Sequence, residues 1–186
     1  MKDFHTMTIA GLERNLPLCP ISDALKIGAF VIFGDPELTT ACAEALNARI
    51  PEHDVMITAE SKGIPLICEM ARLEGNKRYV LARKAPKLYM RNLFSCEVRS
   101  ITTDHKQTLY LDGKDAEYMK GKRVVIVDDV ISTGESLHAL EQLVSQAGGN
   151  IVGRMAILAE GDATKREDLI YLEKLPLFTS EGQPID

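Results

Sequence analysis

Four consecutive residues, Val124-Val125-Ile126-Val127, constrain the fold more than any other stretch of this chain. Stiff β-branched side chains favour a strand, and an apolar run without polar alternation favours one covered on both faces, as in a parallel sheet. The residues just beyond the run narrow the choice. Asp128-Asp129 ends it with two carboxylates, and Val130-Ile131-Ser132-Thr133-Gly134 makes a loop rich in small residues. Glu135 to Ala147 then carries a helical stripe at Leu137, Leu140, Leu143 and Val144, stopped by Gly148-Gly149.

The same alternation recurs elsewhere. Val55 to Thr58 and Tyr79 to Ala82 read as strands, and Ile151 to Leu158 as another, interrupted by Gly153 and Arg154. Thr108 to Gly113 reads as a strand ending in a turn. Asp35-Pro36-Glu37 opens a helix with a cap, a proline suited to the first position and a carboxylate that complements the dipole. Its stripe is Leu38, Ala41, Cys42, Ala45 and Leu46, and a second helix runs from Ile64 to Leu73. Strand–helix alternation with short connections predicts an α/β fold with a mainly parallel central sheet flanked by helices. The 186 residues match one domain, 1–186. The first 30 or so, with Pro17 and Pro20 and little periodicity, read as a small appendage over the sheet.

Charge and composition remove several function classes. Lys plus Arg is 22 against 27 for Asp plus Glu, a net charge of −5. That balance argues against duplex nucleic acid or an anionic membrane as partner, while leaving room for a locally basic pocket. No apolar run approaches the roughly 20 residues of a membrane span. Met1 to Met7 is mixed and polar, with no signal-peptide core, and Cys19, Cys42, Cys68 and Cys96 form no C-x-x-C pair. A reducing cytoplasm is the expected compartment.

The loop after Asp129 carries the chemistry. A helix N-terminus offers unpaired N–H groups and the positive end of a dipole, a ready phosphate site. Ser132, Thr133 and Ser136 add hydroxyls, and Gly134 lets the backbone approach closely. Carboxylates beside a phosphate make sense when they accept hydrogen bonds from sugar hydroxyls or act with Mg²⁺. Together these features point to a sugar phosphate with vicinal hydroxyls.

At these residues the chain resembles the type I phosphoribosyltransferases, whose signature is a hydrophobic strand, Asp-Asp, two apolar residues, Ser-Thr-Gly and Ser. Two further segments are similar to the adenine branch of that family. Ala59-Glu60-Ser61-Lys62-Gly63-Ile64 matches a pyrophosphate-holding Glu-[Ser/Ala]-Arg-Gly turn, with Lys62 in the arginine position. Arg83-Lys84-Ala85-Pro86-Lys87-Leu88 matches an Arg-Lys-x-x-Lys-Leu element that begins the mobile catalytic loop. Three cations within five residues repel one another unless a polyanion binds among them. The resemblance spans roughly residues 24 to 178.

It implies transfer of 5-phosphoribosyl from 5-phosphoribosyl pyrophosphate (PRPP) to a purine base, adenine favoured, giving a nucleoside monophosphate and pyrophosphate in purine salvage. Asp128, Asp129, Arg83 and Lys84 are the catalytic residues it implies. Asp128, Asp129, Ser132, Thr133, Gly134, Glu135 and Ser136 would hold ribose and 5′-phosphate, and Ser61, Lys62, Arg83, Lys84 and Lys87 the pyrophosphate. Mg²⁺ would arrive with PRPP, with no protein ligand of its own. The first 30 residues would contribute to a base-binding hood through Leu25, Lys26 and Ile27, with Ile131 a platform or equally a core contact. The family also implies a homodimer.

The chain departs from the pattern in places. Glu135 replaces a second glycine, and its carboxylate is expected to face outward. No Tyr-x-x-Glu-Tyr-Gly lid motif lies between Leu88 and Gln107, leaving Glu97 and Asp104 as the nearest acids. No aromatic residue falls in the hood segment, though Phe30 and Phe33 are close. Ser132 stands where the hypoxanthine-guanine branch has aspartate, which leans toward adenine. The alternatives are the same reaction on hypoxanthine, guanine or xanthine, and a non-catalytic PRPP or nucleotide sensor. His138 and the run Lys165-Arg166-Glu167-Asp168 read as solvated surface.

Overall fold

The computed structural model describes residues 3–98 and 107–185. The N-terminal segment, which shows little periodicity, is in fact a hairpin. Strands β1 (Phe4–Ile9) and β2 (Leu12–Pro20) are joined by Ala10-Gly11, both at positive φ, 49° and 81°. Such a two-residue turn matches the twist of a hairpin. Alanine seldom enters that region, so the usual Asn-Gly cue is missing. Strand β3 (Leu25–Gly28) pairs antiparallel with β2. Arg14 of β2 then reaches Asp35 at 2.6 Å and Glu37 at 2.7 Å, tying the hairpin to the next helix. That helix, α1 (Pro36–Asn47), starts as its sequence indicates: the Leu38 N–H donates to the Asp35 side chain at 3.0 Å. The Arg14 guanidinium holds the Asp35 carboxyl below its ordinary range.

Then come β4 (Val55–Ala59), α2 (Gly63–Leu73) and β5 (Tyr79–Ala82), close to their sequence-predicted limits. Two strands, β6 (Phe94–Val98) and β7 (Gln107–Leu111), pair antiparallel with each other and stand outside the central sheet. Asp112-Gly113 is more than a turn: Asp112 is the N-cap of a short helix, α3 (Gly113–Met119). The chain continues through β8 (Arg123–Ile131), α4 (Glu135–Gln146) and β9 (Asn150–Glu160). A 3-10 turn over Gly161–Lys165 leads to β10 (Ile170–Leu175), β11 (Leu177–Thr179) and β12 (Pro184–Ile185). Gly153 does not interrupt β9, because a Cβ there would lie 2.7 Å from Pro51 Cγ; the strand needs glycine for this close packing.

The central sheet has the order β10-β9-β8-β4-β5, with every pair parallel. Its middle strand explains the apolar run. Val124 and Ile126 enter a core with Leu137, Leu140 and Leu143 of α4, while Val125 and Val127 enter a second core with α1, α2 and the hairpin. Alternate side chains of one strand therefore fill two separate layers. The second sheet, β1-β2-β3-β11-β12, is built from both ends of the chain. The appendage thus includes C-terminal strands that its own sequence does not reveal.

Candidate active site

The site forms at the carboxyl ends of β4, β5 and β8, where α/β sheets commonly place ligands. Strand β8 does not stop at Val127 but runs through both carboxylates to Ile131, held by its ladder with β9 (Asp128 opposite Ala156, Ile131 opposite Ala159). Asp128 and Asp129 are consequently buried, 7% and 4% exposed. Asp128 Oδ1 accepts from the Asp129 N–H at 2.9 Å and from Ser61 Oγ at 3.2 Å. Burial, reinforced by the neighbouring Asp129 charge, pushes the Asp128 carboxyl up to about 7. Asp129 Oδ2 lies 3.0 Å from Lys62 Nζ but off the line of a hydrogen bond, which leaves it buried without a donor.

Beyond Ile131, the five expected phosphate residues Ser132, Thr133, Gly134, Glu135 and Ser136 come together. With Asp128, Val130, Ile131 and Leu137 they line a cradle of about 50 Å³. Gly134, at φ 79°, is the N-cap of α4, and no side chain caps that helix. Its first-turn N–H groups are therefore left for an anion. Ile131 is 3% exposed and packs in the core with α4, as the core-contact reading expects.

The cations converge, but around an anion the chain itself supplies. Glu60 lies 2.9 Å from the Arg83 guanidinium and 4.0 Å from Lys87 Nζ, and accepts from the Lys84 N–H at 2.9 Å. That N–H, together with Arg83, holds the Glu60 carboxyl below its ordinary range. The expectation that these cations repel until an outside polyanion arrives is therefore corrected. Lys62 is likewise engaged, donating to the Phe30 carbonyl at 2.6 Å as well as facing Asp129. Only the Lys84 side chain points to solvent without a partner among the described residues of this cluster. Glu60 was in view within its motif, yet its role depends on Arg83 folding back beside it. Tyr89, whose hydroxyl lies 3.0 Å from Arg83 Nη1, gave no signal in the sequence. Gly63 is required sterically: a Cβ would sit 2.8 Å from Thr58 Oγ1 and 3.0 Å from Asp128 Oδ1.

Leu25, Lys26 and Ile27 lie on β3, half-buried between β2 and β11. Phe30 is 2% exposed in the core and has no free ring face, whereas Phe33 is open to solvent. Beside β11, a cavity of about 610 Å³ lies between Gly161–Lys165 and Lys174–Leu177. Glu160, at the end of β9, carries a carboxyl raised by burial and opposed by the nearby Lys62 charge. Of the acids near the expected lid, Glu97 is exposed on β6, and Asp104 lies outside the described residues. Arg166 and Asp168 are not a free surface run, since both join ion pairs with Glu141 and Arg154.

Comparison with known proteins agrees with this geometry. The family model for a phosphoribosyl transferase domain matches residues 35–176. The chain is 32% identical to the hypoxanthine/guanine phosphoribosyltransferase of Methanococcus maripaludis, over 81% of this chain and 82% of that protein. It is 30% identical to the adenine phosphoribosyltransferase of Petrotoga mobilis, over 86% and 90%. Among solved structures, the adenine phosphoribosyltransferase of Thermoanaerobacter pseudethanolicus superposes with a TM-score of 0.72 at 23% identity, covering 86% of this chain and 95% of that one.

Proposed function

Because the chain belongs to the phosphoribosyl transferase family, we propose that it transfers the 5-phosphoribosyl group of PRPP to a purine base, with adenine preferred. The observation that carries this reading is the buried Asp128-Asp129 pair opening straight into an uncapped helix N-terminus. Hydroxyl groups of a ribose fit the carboxylates, and its 5′-phosphate fits the cradle. In the reaction the bond from C1 of the ribose to pyrophosphate breaks and a bond from C1 to a base nitrogen forms, while the proton of that nitrogen passes to solvent or to the departing pyrophosphate. Positive charge grows on the sugar as the leaving group departs. In this reading Asp128 and Asp129 stabilise that charge, and Lys62, Arg83, Lys84 and Lys87 stabilise the pyrophosphate.

Mg²⁺ would arrive with PRPP, held by the pyrophosphate oxygens and not by a ligand of the protein's own, because Asp129 Oδ2, the buried oxygen without a hydrogen-bond donor, already faces the Lys62 ammonium at 3.0 Å. When bound, the ion would offset leaving-group charge. The segment that begins at Ala85 is expected to close over the site and exclude water; within it Phe94–Val98 is strand β6, and its part beyond Val98 lies outside the described residues. Among the described residues no helix is long and apolar enough to cross a membrane.

Preference for adenine rests on Ser132 and on the Petrotoga relative. The Methanococcus relative favours a second reading, hypoxanthine or guanine as acceptor. Pyrophosphate release from PRPP, assayed with adenine, hypoxanthine, guanine and xanthine, separates the readings. Adenine is expected to give the highest kcat/KM. A 6-oxopurine in first place would move the chain to the other branch. Tight PRPP binding without turnover on any base would make it a sensor.

A further inference from the structure

The phosphate cradle contains no cation of its own. Its residues are Ser132, Thr133, Gly134, Glu135 and Ser136, and the acids Asp128 and Asp129 lie just before them. A dianionic phosphate held by backbone N–H groups and loop hydroxyls still has oxygen lone pairs to offer a further directed donor. Arg166 can supply that donor from 32 positions further along the chain.

Its side chain is held on one edge. Nε donates to Asp168 Oδ1 at 2.9 Å, and Nη2 donates to Asp168 Oδ2 at 2.8 Å and lies 3.4 Å from Glu141 Oε1. Glu141 and Asp168 are in turn paired with Arg154, and Glu141 also lies 3.5 Å from His138 Nδ1. The remaining nitrogen, Nη1, is engaged in none of these pairs. Among the described residues outside the loop and helix themselves, it is the atom within 4 Å of where a Cβ on Gly134 would be, at 3.8 Å. Hydrogen-bonded phosphate oxygens lie about 3 Å from the loop N–H groups, within reach of a guanidinium placed there.

We propose that Arg166 completes the 5′-phosphate site, donating from Nη1 to a phosphate oxygen while Asp168 and Glu141 hold its other edge. The proposal rests on the phosphoribosyl reading of this loop. Two guanidinium groups against two carboxylates leave the cluster neutral. Arg166 therefore acts as a directed donor pair and not through a long-range field. The dependence should accordingly be local to the 5′-phosphate.

Binding of ribose 5-phosphate and of pyrophosphate, each measured by calorimetry on the full chain, tests this directly. In Arg166→Gln, ribose 5-phosphate is expected to bind about ten-fold more weakly, the effect of one charge-assisted hydrogen bond. Pyrophosphate should stay within about two-fold, because its site lies at Lys62 and Arg83. In turnover, KM for PRPP should rise while kcat holds. Arg166→Lys, which keeps the charge but loses the fork, should recover part of the loss. Asp168→Asn, which loosens the guanidinium without removing it, should weaken ribose 5-phosphate selectively and by less, and it carries the test if Arg166→Gln does not fold. Equal weakening of both ligands, or unchanged ribose 5-phosphate binding, would overturn the proposal. Wild-type protein that binds neither ligand would instead overturn the phosphoribosyl reading itself.

Discussion

The two anion-facing regions of this molecule are built on opposite plans. The loop from Ser132 to Ser136 presents backbone N–H groups at an uncapped helix end and needs no internal counter-charge. The shelf made by Lys62, Arg83 and Lys87 presents side-chain cations, and every one of these is already matched by a carboxylate, Asp129 or Glu60. Peptide dipoles are fixed by the helix and cost nothing to keep oriented, so such a site can wait ready for ligand. Like charges packed within a few ångströms cannot wait; they need a partner, and here the chain provides one. The 5′-phosphate would then dock on a preformed surface, whereas pyrophosphate must displace Glu60 from its cations.

The sharpest way to break this contrast is to remove the carboxylates between the two regions. Asp128→Ala combined with Asp129→Ala should lower kcat/KM by at least about 100-fold, from loss of two charge-assisted contacts to the sugar. Turnover intact in that variant, measured by pyrophosphate release, would sink the mechanism.

A milder change addresses the shelf alone. Glu60→Gln removes the internal anion, so pyrophosphate should bind a few-fold more tightly, on the order of a partly exposed ion pair, while ribose 5-phosphate is unaffected. Titration calorimetry distinguishes the two ligands. The same change should flatten the acid limb of stability. Glu60 has a depressed folded-state pKa, so its contribution is present above the ordinary glutamate value and is lost as pH falls through the depressed one.

The smallest effect concerns stability at the other carboxylate. Asp128 is raised to about 7 in the fold, so its contribution is present below the unfolded value near pH 4 and drains away as pH rises through 7. Asp128→Asn should therefore melt above wild type at pH 8, with the curves converging toward pH 4. Melting curves at several pH values check this. Wild type melting higher at pH 8 would mean that its burial is offset by contacts worth more than the repulsion from Asp129.

Much of the central fold is legible in the sequence because its cues are local. Asp35, Pro36 and Glu37 start α1 where their chemistry says a helix should start, and the stripe of Leu137, Leu140 and Leu143 places α4. The N-terminal hairpin is not legible, since Ala10-Gly11 takes a turn that alanine rarely enters. Of the β6–β7 pair, β7 is legible at Thr108 to Leu111, whereas β6 is not, because its partners are β7 and α4 and not the parallel sheet. In the site, the motif residues lie together as a group, yet the partners they take within the chain are misjudged. Ile131 is apolar for the sake of the core, and Arg166 looks like an ordinary member of a charged run until Asp168, Glu141 and Gly134 surround it.

The sequence by itself determined the strand–loop–helix at Val124 to Ala147, on which the proposed phosphate site rests, because periodicity, capping and the helix dipole act between near neighbours in the chain. Only the tertiary structure decided how that loop is charged. Ser61 meets Asp128 from 67 residues away, Glu60 neutralises Arg83 across β4 and β5, and Arg166 comes back to Gly134. Coulombic and hydrogen-bond energies depend on distances of a few ångströms, and those distances are set only when the sheet assembles.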